Sequence, residues 1–290
     1  MSALAVYLGT EGLKGYLKIQ SKEVQAGDLE AFNIQKCLMV SYEDRGFLTK
    51  ADIEIIRKLG LKFRGHNSWP LFRNYTPGYY PWYLTRDEVR YLTLALEQAV
   101  EVSLRFKEDQ DLLIPPQRNH YLVRVPTKDA QGLRWRDEWL EPKPLEKEEV
   151  LIEPTIDEIR LKRIEKRTSR QLQAWEVDFF YSPEPVKNKK GERPYYPYFI
   201  LWIDQESRFL LDILIAQGSK LSAQFIEQSM KLFERVKNLP TEILMRKKEI
   251  FQLLKPIASR LGINLRLVKR LVAMEEAKTS MGEFFGKLDH

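Results

Sequence analysis

The amino-acid sequence predicts an α/β protein of two domains. The chain has 290 residues, 43% of them apolar, and short apolar runs alternate with amphipathic segments along its length. A chain of this length usually divides into compact units that each bury a core. Alternation of strand-like and helix-like segments is typical of α/β architecture.

Composition excludes several functional classes. Cys37 is the only cysteine, so an internal disulfide and a cysteine-rich zinc site are both excluded, and its apolar neighbours predict a buried thiol. No apolar run reaches the ~18–20 residues that span a bilayer, and no signal peptide leads the chain, so we expect a cytoplasmic protein without a membrane partner. A net charge of +6 and a pI near 9.1 are compatible with nucleic acid as a partner, but do not require it.

Residues 1–112 are predicted to form a mixed α/β domain. The runs ALAVYL and QKCLMVSYE have the composition of strands, and TEGLKGYLKI predicts a helix capped by Thr10. A second helix is predicted after Thr49, which forms a capping box with Asp52, and it ends at Gly60.

A third, long helix is predicted from Arg86 to Phe106. Thr85 and Glu88 have the spacing of a capping box at its start. Apolar residues recur along it at helical spacing, which predicts one face packed on the core. These residues are Val89, Leu92, Leu96, Ala99, Val100 and Leu104.

The stretch FRGHNSWPLFRNYTPGYYPWYL, which precedes this helix, is rich in aromatic and basic residues. Its prolines and glycines predict an irregular or edge-strand conformation. One interpretation is an ordered loop whose rings complete the core, since aromatic rings are more often buried than displayed. The other is an exposed surface for a nucleic-acid base or a partner loop. The candidate binding residues of that surface are Arg64, His66, Trp69 and Arg73.

Residues 113–170 are predicted to hold a hairpin, a connector and a charged helix. The runs HYLVRVP and LRWRDEWLE have strand character and can pair with each other. PKPLEKEEVLIEP is rich in proline and charge, which is typical of a connector. TIDEIRLKRIEKRTSRQLQA predicts a helix whose narrow apolar stripe includes Ile156, Ile159, Leu161 and Ile164.

Residues 171–290 are predicted to form the second domain, with elements in the order β, β, β, α, β, α, β, α. The first strand is WEVDFFY. The next two strands meet at Asp204–Ser207, where aspartate and serine favour a turn.

Four short motifs of this second domain occur in a characteristic order: WEVD, WIDQESR, LPTEILMRKKE and LGI, between Trp175 and Val268. In this order they resemble the catalytic core of the transposase and retroviral integrase superfamily. The resemblance implies an RNase H-like fold, with a mixed sheet flanked by helices. Over its whole length the chain also resembles a group of two-domain bacterial proteins built from domains of unknown function.

The superfamily resemblance also implies a chemistry, two-metal phosphoryl transfer, in which two aspartates and a glutamate hold a pair of Mg²⁺ or Mn²⁺ ions. Asp178 matches the first catalytic position and is therefore the candidate catalytic and metal-binding residue. Asp204 matches a hairpin-turn aspartate that is structural in the superfamily.

Of the other two catalytic positions, the second does not match and the third is not placed. The second is Arg246, followed by Lys247 and Lys248, and a cation there repels the metal that an aspartate would bind. The third is a glutamate on the last helix. Its candidates are Glu275, Glu276 and Glu283, of which Glu283 is also a candidate metal ligand.

We therefore expect a fold retained without its metal site: a non-catalytic binding or scaffold protein without a cofactor, in which Asp178 is able to pair with Arg246. The alternative is a metal-dependent nuclease or strand-transfer enzyme that uses Asp178 with Mg²⁺ or Mn²⁺. A second alternative is nucleic-acid binding without cleavage.

The second alternative depends on the basic residues of the last third of the chain. Residues 241–278 contain nine lysines and arginines against four acids. If several face one way they contact phosphates, whereas solvated helix faces explain the same charges without a ligand. The candidates are Arg246, Lys247, Lys248, Arg266, Lys269 and Arg270.

Overall fold

The computed structural model describes residues 2–24, 29–130, 132–142, 157–216 and 221–286, without the side chains of Asp129 and of residues 283–286. Helices and strands are mixed along the chain, so the predicted α/β class is confirmed. Within the described residues no helix is long and apolar enough to cross a membrane.

Over residues 171–290 the secondary structure follows the predicted order of elements, whereas the helix Leu29–Asn33 was not predicted. The strands are β1 (Ala3–Tyr7), β2 (Cys37–Glu43), β3 (Trp69–Tyr75), β4 (Tyr121–Asp129), β5 (Gly132–Leu140), β6 (Ser169–Tyr181), β7 (Tyr198–Asp204), β8 (Leu210–Ala216), β9 (Asn238–Met245) and β10 (Asn264–Leu267). The helices are α1 (Gly9–Gln20), α2 (Leu29–Asn33), α3 (Lys50–Lys58), α4 (Arg86–Glu108), α5 (Glu158–Arg167), α6 (Leu221–Arg235), α7 (Lys248–Leu261) and α8 (Val272–Gly286).

The chain divides into two compact units that are interleaved in sequence. Unit 1 comprises Met1–Ser21, Gln35–Thr76 and Pro81–Glu146, and unit 2 comprises Lys22–Ile34, Pro77–Tyr80 and Lys147–His290. The domain limits 1–112, 113–170 and 171–290 stay predictions.

Unit 1 is built on an antiparallel sheet with the strand order β1-β2-β3. Cys37 on the central strand is fully buried, as predicted, and burial raises the pKa of its thiol to about 12. β3 lies at the edge, as predicted, but it is a regular strand, because all seven of its residues pair in register with β2. Pro70 fits there because an edge strand has one side on which an N–H is not needed.

Two of the three N-caps predicted for the helices of unit 1 are present. Thr49 and Thr85 each form a complete capping box, with Asp52 and Glu88 respectively, as predicted. The predicted cap at Thr10 is wrong, because Thr10 is the second residue of α1 and the N-cap is Leu8, without a side-chain hydrogen bond. The chain enters α1 through Gly9 at a φ of 62°, two residues earlier than a Thr10 cap would place the start.

The apolar face of α4 is less buried than predicted. Of its six apolar residues only Leu92 is buried, whereas Val89, Val100 and Leu104 are about half exposed. Together with α3 and β3, the face lines an open apolar groove of about 800 Å³. Helical spacing predicts which residues share a face, but not how far another element covers that face.

In the last part of unit 1, β4 and β5 pair as the predicted hairpin, with Tyr121 opposite Leu140. The connector residues 143–156, including Ile156, lie outside the described residues. α5 buries Leu161 and Ile164, as predicted, but Ile159 is exposed. Residues 169–174, predicted to continue this helix, instead form the start of β6, because they pair in parallel with β9.

Unit 2 contains a five-stranded mixed sheet with the order β10-β9-β6-β7-β8. β6, β7 and β8 are antiparallel neighbours, and β9 and β10 run parallel to β6. This is the RNase H-like arrangement that the motifs predicted. One face packs on α5, α6 and α7 around Trp175, Trp202 and Phe225, and α8 covers the other face around Leu201, Leu244 and Met274.

Candidate site at the end of the central strand

The candidate site is built on β6, the central strand of unit 2. Side chains alternate between the two faces of a strand, so Glu176 and Asp178 point to the same face, opposite to Trp175 and Val177. That face is the one covered by α8. Both carboxylates are buried, with 0% of Glu176 and 2% of Asp178 exposed, and a buried carboxylate requires a partner.

The partner of Asp178 is an ammonium group from α8. Lys278 Nζ donates a hydrogen bond of 2.7 Å to Asp178 Oδ2, and the N–H of Phe179 donates one of 3.0 Å to Oδ1. The predicted pairing with Arg246 is therefore wrong, because Arg246 is exposed after the end of β9 while Lys278 reaches the carboxylate from the covering helix. The last helix, on which the resemblance placed the third catalytic glutamate, thus presents a lysine to Asp178.

Glu176 holds the beginning of the same helix. Its Oε2 accepts a hydrogen bond of 2.8 Å from the N–H of Met274, the third residue of α8, where a negative charge is favourable. Two residues along a strand span about 6.6 Å and four along a helix span about 6 Å. The spacing between Glu176 and Asp178 is therefore close to that between their partners Met274 and Lys278. The two acids thus anchor α8 to the sheet. Sequence reasoning missed Glu176, although two acids at alternate positions of a buried strand were a visible signal.

A second ammonium group lies beside this pair. Lys247 Nζ donates a hydrogen bond of 2.7 Å to the carbonyl oxygen of Phe179 and lies 3.6 Å from the carboxylate of Glu30 on α2. The Lys247 ammonium is 4.7 Å from the centre of the Phe179 ring, and that of Lys278 is 4.2 Å from the Phe180 ring. Both lysines line a cleft of about 210 Å³.

These residues do not fit a divalent metal. Mg²⁺ and Mn²⁺ require several oxygen ligands, preferably carboxylates that converge on one point. Glu275 and Glu276 instead bind Arg270 and Arg208, and the Glu283 side chain lies outside the described part of the chain. Among the described residues no group of three or more histidine, cysteine, aspartate or glutamate side chains could hold a metal ion.

Asp204 has the structural role that was predicted for it. It ends β7, and its Oδ1 accepts hydrogen bonds from the N–H and the hydroxyl of Ser207, at 2.8 and 2.7 Å. Arg208 completes the turn with a φ of 62°. The residue is therefore committed to the hairpin and cannot act as a ligand.

Carboxylates of unit 2 already pair with several of the basic residues predicted to contact nucleic acid. Arg266 lies 3.0 Å from Glu242, and Arg270 lies 2.6 Å from Glu275. Arg246, Lys248 and Lys269 are exposed. As described above, Lys247 lines the cleft.

The candidates in unit 1 have different surroundings. Arg64 is exposed, as is His66, whose ring lies 3.3 Å from Asp44. The guanidinium of Arg45 covers the half-buried Trp69 ring at 5.6 Å. These contacts leave Arg64 as the most accessible cation of this set.

Arg73 is buried and donates two hydrogen bonds, of 3.0 and 2.6 Å, to the carboxylate of Asp52. It is therefore a structural residue and not part of a binding surface. Burial raises the pKa of Asp52, but the hydrogen bonds from Arg73 and Thr49 outweigh it, so the net pKa is lowered.

The aromatic stretch is neither a core nor a fully displayed surface. None of its seven tryptophan, tyrosine and phenylalanine rings from Trp69 to Tyr83 is fully buried, and Phe72, Tyr79, Tyr80 and Tyr83 are about two-fifths exposed. Neither of the two interpretations from the sequence therefore holds for the whole stretch.

Comparisons with known proteins give two family matches that together cover most of the chain. Residues 1–124 match the family described as a domain of unknown function (DUF7309), and residues 160–282 match a second domain of unknown function (DUF6930). No curated protein matches the chain. The two matches identify the chain as one built from two domains of unknown function.

The solved structures to which the chain is similar include retroviral integrases. The HTLV-2 integrase catalytic core domain in complex with magnesium has 14% identity and a TM-score of 0.31, over 42% of this chain and 74% of that one. The catalytic core domain of BIV integrase has 9% identity and a TM-score of 0.29, over 39% and 66%. The simian T-cell lymphotropic virus intasome in complex with PP2A regulatory subunit B56 gamma has 13% identity and a TM-score of 0.31, over 42% of this chain and 44% of that one. At these sequence identities and TM-scores, the structural similarity supports no conclusion about function.

Proposed function

We propose that this chain is a non-catalytic binding or scaffold protein whose RNase H-like unit holds an internal ammonium group in place of a metal ion. The observation that carries the proposal is the 2.7 Å contact between Lys278 and the buried Asp178. Function belongs to a site and not to a fold, and this site has an ammonium group beside Asp178 where metal-dependent phosphoryl transfer requires further carboxylates.

Electrostatics supports this proposal. A divalent ion at Asp178 would have to displace the Lys278 ammonium group, which lies 2.7 Å from the Asp178 carboxylate. Charge repulsion at such distances is large in a partly dry site.

The two alternatives have less support. A metal-dependent nuclease or strand-transfer enzyme needs further carboxylates beside Asp178, and Lys278 and Lys247 stand there instead. Nucleic-acid binding without cleavage needs several free cations on one surface, but Arg73 is buried and Arg266 and Arg270 are paired with carboxylates. Each neutralised cation removes one phosphate contact.

A nuclease assay tests the proposal. The full chain is incubated with single-stranded and double-stranded DNA in Mg²⁺ and in Mn²⁺, beside the variant Asp178→Asn as the matched control. We expect equal and background cleavage from both proteins. Cleavage by the natural chain that Asp178→Asn abolishes, with unchanged circular dichroism, would overturn the proposal.

A further inference from the structure

The cleft beside Asp178 carries more positive than negative charge. It lies in unit 2 between α2, the end of β6, the second residue after β9, and α8. Lys247 and Lys278 contribute two ammonium groups to its lining, and Glu30 contributes one carboxylate. Asp178 does not line the cleft. The two ammonium groups and the one carboxylate give the lining itself a formal charge of +1, while Asp178 lies behind it as the partner of Lys278.

Both ammonium groups have donors that the described contacts do not use. An ammonium group carries three N–H donors. Lys278 donates to Asp178 and Lys247 donates to the Phe179 carbonyl, one hydrogen bond each in the described part of the chain. Glu30, at 3.6 Å from Lys247, is beyond hydrogen-bond distance and is half exposed, so it is the least firmly held charge of the cleft.

The surroundings strengthen an electrostatic contact. The rings of Phe180 and Tyr181 form part of the wall, and apolar walls lower the local dielectric constant. Lys247 is also the N-cap residue of α7, so the positive end of that helix lies next to the cleft. A volume of about 210 Å³ suits a small ligand.

We propose that the cleft binds a small oxyanion of the phosphate type, held by Lys247 and Lys278 and in competition with the Glu30 carboxylate. A lysine ammonium is a suitable phosphate partner, because it acts as a compact point charge. The ligand takes the unused N–H donors of both lysines, so the Asp178–Lys278 bond remains in place. No covalent step is involved.

This inference rests on the proposed non-catalytic function, since the same ammonium groups repel a divalent cation and attract an anion. The two proposals nevertheless fail separately. Cleavage that depends on Asp178 would overturn the first, whereas a cleft that takes no phosphate would leave the ammonium–carboxylate pair and the first proposal untouched.

Calorimetric titration of the full chain with inorganic phosphate tests the inference. The variant Lys247→Met is expected to bind phosphate about tenfold more weakly, because it loses one charge-assisted hydrogen bond. Glu30→Gln is expected to bind more tightly, because the competing carboxylate becomes neutral. If Lys247 and Glu30 had only structural roles, their variants would not change the phosphate affinity in opposite directions.

Lys248→Met is the matched control, since Lys248 is the exposed neighbour of Lys247, and its affinity should equal that of the natural chain. Lys278 is not used alone because its loss leaves Asp178 unpaired. The inference is overturned if neither the natural chain nor Glu30→Gln takes up phosphate at millimolar concentration, or if Lys248→Met weakens binding as much as Lys247→Met.

A single-stranded oligonucleotide is titrated as a second arm. Binding of the oligonucleotide without binding of phosphate would also overturn the inference.

Discussion

Each unit of the molecule contains an ion pair in which a buried residue was expected to act on a ligand. In unit 2, Lys278 lies 2.7 Å from Asp178 and joins α8 to β6, and in unit 1, Arg73 lies 2.6 Å from Asp52 and joins β3 to α3. Asp178 was predicted to hold a metal ion and Arg73 to contact nucleic acid. Both residues are instead satisfied within their own unit.

The two pairs differ in how many donors the carboxylate has. Asp52 accepts hydrogen bonds from both guanidinium nitrogens of Arg73 and from the N–H and hydroxyl of Thr49. Asp178 has only one charged partner and one backbone N–H in the described part of the chain. The side chain of Asp178 is also the more deeply buried of the two, at 3% exposed against 12% for Asp52. The residue with fewer donors thus depends more strongly on its cation.

The largest effect is therefore expected in unit 2. Lys278→Met leaves a buried carboxylate without a counter-charge and should lower the free energy of unfolding by about 3–5 kcal/mol. Urea denaturation followed by circular dichroism measures this change. The double variant Asp178→Asn, Lys278→Met removes the unpaired charge and should recover more than half of the loss. If Lys278→Met were as stable as the natural chain, the ammonium would not be what holds Asp178.

A smaller effect is expected from Arg73→Met in unit 1. Asp52 keeps its two hydrogen bonds from Thr49, so the loss in unfolding free energy should be about 1–3 kcal/mol, measured in the same way. A loss larger than that of Lys278→Met would contradict the ranking. Arg64→Met is the matched control, since Arg64 is exposed, and it should change the stability little.

Arg73→Met should also change how the stability of the protein depends on pH. The lowered pKa of Asp52 means that its contribution to stability is fully present above the unfolded value of about 3.9 and is lost as pH falls through the folded value. The natural chain should therefore lose more stability than Arg73→Met between pH 5 and pH 2. Equal losses in both proteins would show that Arg73 does not set this pKa.

Much of the fold could be predicted because local patterns determine it. The capping boxes at Thr49 and Thr85 and the element order of unit 2 follow from short-range spacing and turn residues. Residues 169–174 were misjudged because they combine helix-compatible composition with a pairing to β9 that lies about 70 residues away. Tertiary contacts of that kind override local propensity.

The site could be predicted only in part. Asp178 was found from its motif, but its partner Lys278 is 100 residues distant in sequence, and no local pattern shows which side of α8 faces the sheet. The spacing that links Glu176 and Asp178 to Met274 and Lys278 becomes visible only once strand and helix are packed together. Likewise, the spacing in α4 showed an apolar face but not the open groove that the face lines.

Calorimetric titration with Mn²⁺ tests most directly whether a lysine has taken the place of the metal at Asp178. The natural chain and Asp178→Asn are titrated side by side, because Mn²⁺ binds in the same oxygen-rich sites as Mg²⁺. We predict no binding heat at this site, so the two titrations should be identical. A saturable binding event in the natural chain that disappears in Asp178→Asn would contradict the claim.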